Sequence, residues 1–168
     1  MGAGPSRLRR AVWLLSMGCT GVQVLLSVAM LWTMMELSTY GDVARRPTYS
    51  WVGLVLPLVT AAGAWSAASA AWRCRWNSGA LARLVASHGV VLVTAVIMLV
   101  ALRRATPAGS ASALLLQPGS RLPPNEIYGS EAALGMIIAP LVLAGALAVP
   151  GLLLSVLLGV ADRRARRE

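Results

Sequence analysis

Few side chains in this chain have types that support chemistry, and their surroundings narrow what that chemistry can be. His88 is the single histidine, set in an apolar run five positions past Arg83. An ionisable group in such a run is a candidate proton or ion relay. The competing reading is structural, a neutral imidazole hydrogen-bonded to a neighbouring hydroxyl or carbonyl. Glu36 closes the first long apolar run, after Met34 and Met35. It is placed either to line an entry for cations or to pair with Arg45, Arg46, Arg103 or Arg104. Gln23 and Thr20 are polar interruptions inside the same run. Glu36, Asp42, Glu126 and Glu131 together offer oxygen ligands to a hard cation, but no ordered ligand loop spaces them and nearby arginines oppose a cation. Cys19 and Cys74 form no CxxC, so neither a zinc nor a redox site follows. There is no Gly-rich phosphate loop, zinc-protease helix or nucleophile elbow. The expectation is therefore no catalytic residue, no metal, no cofactor and no enzyme.

The elements that must hold these residues are apolar helices. The 168 residues are 57% hydrophobic and 12% charged, where a soluble domain carries about a quarter charged residues. Charge is missing from four blocks and concentrated between them. This pattern predicts membrane spans at about 11–37, 51–72, 84–102 and 132–160, each near the about 20 residues that cross a hydrocarbon core. The first run follows a basic lead, as in a signal peptide. It is too long for an h-region and lacks a small-residue cleavage site followed by polar sequence, so it reads as an uncleaved span. Residues 38–50 and 103–131 are the two loops of one side, and 73–83 is the loop of the other. The longer loop holds Pro107, Pro118, Pro123 and Pro124 and should be irregular, with Ala111–Gln117 resting at the interface. Ser130 and Glu131 suit a helix start, and Pro140 and Pro150 are tolerable inside a membrane helix. The fold class is all-α: a single membrane domain, an integral membrane four-helix bundle of two hairpins. Residues Met1 to Ser6 match an N-myristoylation pattern, although a chain held by four spans gains little from one acyl chain.

Charge sets the orientation. All 15 basic residues are Arg, ten on the N-terminal lead, the 73–83 loop and the C-terminal tail, and five on the other two loops. The positive-inside rule then puts both termini and the 73–83 loop in the cytoplasm. The Arg45-Arg46 and Arg103-Arg104 pairs run against this assignment. A net charge of +9 on a soluble module would point to nucleic acid. Here the arginines flank apolar segments and leave no basic face for phosphate contacts, so the expected partner is a lipid bilayer and not nucleic acid.

Helices in lipid associate through close backbone approach. The second span offers Gly63, Ala67 and Ala71 at four-residue spacing, the fourth offers Gly151, Ser155 and Gly159, and the first offers Gly18 and Gly21. Such faces pack within the bundle, or against another integral membrane protein or a second copy. Because the spans hold few polar residues, the leading expectation is a non-enzymatic accessory, assembly or regulatory subunit of a larger membrane complex, multi-pass in the cell (plasma) membrane. The alternative is a small oligomeric transporter or pore for an ion or small solute, lined by His88, Gln23, Thr20 and Glu36.

Overall fold

A computed structural model describes residues 5–39, 48–74, 77, 79–105, 112–117, 120 and 130–165. They form α1 (Pro5–Thr39), α2 (Trp51–Arg73), α3 (Ala80–Ala105), a single turn α4 (Ser112–Leu115) and α5 (Ser130–Ala165). The four long helices are each long and apolar enough to cross a membrane. They overrun the spans expected from hydropathy. Hydropathy marks where side chains leave water, whereas backbone hydrogen bonding carries α1 through Arg7, Arg9 and Arg10 and α5 through Asp162 and Arg163. Likewise α3 begins at Ala80, within the stretch expected to be loop, and ends with Arg103 and Arg104 in its last turn, where cations complement the negative end of the helix dipole. Gly2, Asp42, Arg45, Arg46, Arg75, Trp76, Arg121 and Glu126 lie outside the described residues.

Each long helix packs against two antiparallel neighbours, in the ring order α1, α2, α3, α5. Cross-helix contacts fix the register. At the near end, where α1 begins, Arg9 pairs with Asp162 at 3.6 Å and donates to the Cys74 carbonyl at 3.3 Å. Trp13 Nε1 donates to the Ala71 carbonyl at 2.9 Å, and its ring meets Trp72 with centroids 6.4 Å apart. At the far end the Tyr49 hydroxyl donates to the Met34 carbonyl at 2.9 Å, and burial pushes that phenol up from its ordinary pKa.

The far end is closed by chain from the long loop. Ser50 is the N-cap of α2: its Oγ accepts from the Gly53 N–H at 3.0 Å, a contact worth about 1 kcal/mol. The same hydroxyl donates to the Leu114 carbonyl at 2.6 Å, and the Ser50 N–H donates to the Leu115 carbonyl at 2.8 Å. Gln117 N–H reaches the Thr48 carbonyl at 2.8 Å, and Tyr49 and Leu116 form an antiparallel bridge. Leu115 and Leu116 are thereby pushed into a core of Met30, Met34, Met98, Leu134 and Ile137. Within the segment expected to rest at the interface, Leu115 and Leu116 are instead buried, because the backbone there finds partners in the strand-like residues before α2, while Gln117 is exposed and Ala111 lies outside the described residues. Gly53 permits this: a Cβ there would collide with the Leu115 carbonyl.

Candidate functional site in the polar core

The bundle has an apolar outside and a partly polar inside. Leu25 is 69% exposed and Trp32 60%, while Ser16, Thr20, Gln23, Thr60, His88 and Ser155 are fully buried. On α1 the inward groups Ser16, Thr20, Gln23 and Ser27 recur at intervals of four, three and four residues, which places them on one helix face. They meet Thr60 of α2, Ser87, His88 and Thr94 of α3, and Ser155 of α5 as the buried polar set. Small neighbours make this possible, since Ala64, Ala67, Ala144 and Ala148 fill the remaining space.

Most hydroxyls are satisfied within their own helix. Thr20 donates to the Ser16 or Met17 carbonyl, both at 3.1 Å, Ser27 to Gln23 at 2.8 Å, and Ser155 to Gly151 at 2.7 Å. Three contacts of this set cross between helices, one of them from the Ser87 hydroxyl to Ser66 Oγ on α2 at 2.9 Å. Gln23 Nε2 donates to the Ala144 carbonyl on α5 at 3.0 Å, and the Thr60 and Thr94 hydroxyls lie 2.8 Å apart. Four buried atoms have no hydrogen-bond partner among the described residues: Ser16 Oγ, Gln23 Oε1 and both ring nitrogens of His88. Such groups cost about 1–3 kcal/mol each, so each calls for a physical reason.

Register brings His88 and Ser16 to one level. Arg9 opposite Asp162 and Gln23 opposite Ala144 set Ser16, midway between, beside the turn of α5 that holds Gly151 and Ser155. His88 lies directly on that turn: a Cβ at Gly151 would stand 2.5 Å from its Cε1. Both side chains are fully buried and belong to diagonal helices.

The remaining residues singled out by sequence fall as follows. Gly63 packs on Val91 and Val90 of α3, Gly159 on Leu81, and Ala67 and Ala71 are fully buried. Gly18 and Gly21, expected to be a packing face, point outward with nothing within 4 Å of an added Cβ. Glu36 is exposed on α1 and does not line the interior. Cys19 and Cys74 are free thiols. Burial pushes the Cys74 thiol above its ordinary pKa, with Arg9 pulling it down and Asp162 pushing it up. Among the described residues no group of three or more His, Cys, Asp or Glu side chains is close enough to hold a metal.

The sequence reading took Gln23 and Thr20 as lining groups but did not join them with Ser16 and Ser27 into one inward stripe, although the spacing was visible. It also missed Gly145, where a Cβ would collide with Ala95, and Gly53 under the far-end stopper; single glycines carry no signal of what approaches them.

Fold and core together define a four-helix bundle whose helices are long and apolar enough to cross a membrane and whose mainly apolar interior carries a set of buried polar side chains. No family model matches the chain, and no curated protein or solved structure is similar to it.

Proposed function

We propose that the four long helices span the cell membrane with both termini and the α2–α3 connection in the cytoplasm. In that membrane the chain is a non-enzymatic accessory subunit that stabilises, assembles or regulates a larger membrane complex. The outward apolar surface supports insertion, since folded monomers in water keep exposed apolar patches to a few hundred Å². The arginine distribution supports the orientation.

Close packing between α3 and α5 and the closed far end support the accessory reading. Gly151 is in contact with the His88 ring, Gly145 with Ala95, and Leu115 and Leu116 are buried at the far end. These contacts favour a scaffold over a conduit. A partner meets the outer surface, because Gly63, Ala67, Ala71, Gly151 and Ser155 are buried inside the bundle. Affinity isolation of the tagged full chain in mild detergent should recover a second integral membrane protein in fixed stoichiometry; recovery of this chain alone overturns the reading. Orientation is tested by an impermeant maleimide in a background lacking Cys19 and Cys74. Gln117→Cys should label from outside and Asn77→Cys should not, and the reverse pattern inverts the topology.

A transport reading retains one specific support, the buried, unpartnered atoms of Ser16, Gln23 and His88, which are what a proton or solute path would use. If His88→Leu and Gln23→Leu abolish flux across vesicles at unchanged protein level, transport replaces the accessory role.

A further inference from the structure

The small side chains of α2 do more than pack inward. On its outer face Ala61 and Ala62 leave a trough of about 420 Å³ between α1 and the exposed indole of Trp65. That volume falls within the about 300–1,000 Å³ of small-molecule sites. The α1 wall is Val24, Val28 and Leu31, which share one helix face and extend about 10 Å. Ser27 also borders the trough, but its hydroxyl hydrogen is committed to the Gln23 carbonyl at 2.8 Å, so it has no donor left for a ligand. The available donors are therefore confined to one end.

That end carries a cation. Arg83, at the start of α3, donates from Nε to Ser66 Oγ at 3.2 Å, and Ser66 also accepts the Ser87 hydroxyl at 2.9 Å. Two accepted bonds orient the Ser66 hydroxyl and leave its own hydrogen to donate. Among the described residues the terminal nitrogens of Arg83 are unengaged and no carboxylate pairs with it, whereas at this end Arg9 pairs with Asp162. An oriented guanidinium beside a hydroxyl donor matches a phosphate, which it can hold in bidentate fashion. An apolar trough leading away from it matches an alkyl tail.

We propose that this trough binds one anionic glycerophospholipid, its phosphate on Arg83 and Ser66 and an acyl chain along Ala61 and Ala62. The site rests on the membrane-spanning reading. It also agrees with the orientation derived above, because basic pockets between helices at the cytoplasmic surface bind anionic headgroups.

The test is native mass spectrometry of the delipidated full chain, titrated with phosphatidylglycerol and phosphatidylcholine of identical acyl chains. Phosphatidylglycerol should bind more tightly. Arg83→Gln should weaken it at least about tenfold, the loss of a bidentate charge-assisted contact, with Arg83→Lys between the two. Ala62→Trp, which fills the trough, should weaken both lipids. Equal binding of the two lipids by the wild-type chain overturns the proposal without any variant. So does an Arg83→Gln chain that binds as wild type, or an Ala62→Trp chain that loses a bound polypeptide instead of lipid. Alkaline carbonate extraction separates the levels: release from membranes refutes the spanning reading itself, whereas retention with failed titrations refutes only the lipid site.

Discussion

Exchanging His88 for Leu removes two buried nitrogens that have no hydrogen-bond partner among the described residues. Each unpaired buried polar atom costs about 1–3 kcal/mol. Leu is close to His in volume, so misfit against Gly151 should cost less than about 1.5 kcal/mol. The net expectation is a stabilisation of about 1 kcal/mol, or about 2–4 °C in melting temperature for a chain of this length. The contact to Gly151 supplies a second arm. Gly151→Ala places a Cβ 2.5 Å from the His88 Cε1, an overpacking that should cost about 1–3 kcal/mol. Most of that cost should vanish in a His88→Ala background, giving a coupling energy of at least about 1 kcal/mol in the double-mutant cycle. Tryptophan fluorescence during thermal unfolding in one detergent reads all five proteins. A His88→Leu chain that melts below wild type would refute the reasoning, because the ring nitrogens would then be satisfied in the folded state by water or a bound group.

Three further outcomes follow from other parts of the fold. Gly53→Ala should lose about 1–3 kcal/mol and expose the far-end stopper, seen as faster maleimide labelling of a Leu115→Cys reporter than in the Gly53 parent. Arg9→Gln and Asp162→Asn should each cost less than about 1 kcal/mol, since the pair is part-exposed, and the difference should shrink in high salt. Cys74 should alkylate more slowly near neutral pH than an Asn77→Cys thiol and speed up as pH rises, because burial holds its pKa up. Removing the Arg9 charge should slow it further and removing the Asp162 charge should speed it, so reversed effects would refute the assignment.

Hydropathy located the four long helices because charge and apolarity are properties of single stretches. It did not give their ends: α1 and α3 continue through arginines that stay at the surface. Nor could it give register. The spacing of Gly63 with Ala67, or of Gly151 with Ser155, marks a close-packing face without naming what approaches, and the approach of Gly151 to His88 depends on how α3 and α5 slide along each other. Gly18 and Gly21 carried the same signal and face outward, since the opposite side of α1 holds the hydroxyls that turn inward. Leu114 to Leu116 read as interfacial because the hydrogen bonds that bury them come from Thr48 to Ser50, more than sixty residues away. Glu36 was legible as a charge at a helix end, and its exposure follows from lying off the face of Ser16, Thr20, Gln23 and Ser27.

The clasp between Thr48 and Gln117 also has a consequence in time. It joins the two free ends of the α2–α3 hairpin, and every hydrogen bond in it belongs to residues made before α5. A growing chain can therefore latch this ring, with α1 alongside α2, while the last helix is still being synthesised. In that order of assembly α5 would enter last, between α1 and α3, bringing the Ala144 carbonyl to the Gln23 amide and Gly151 to the His88 ring.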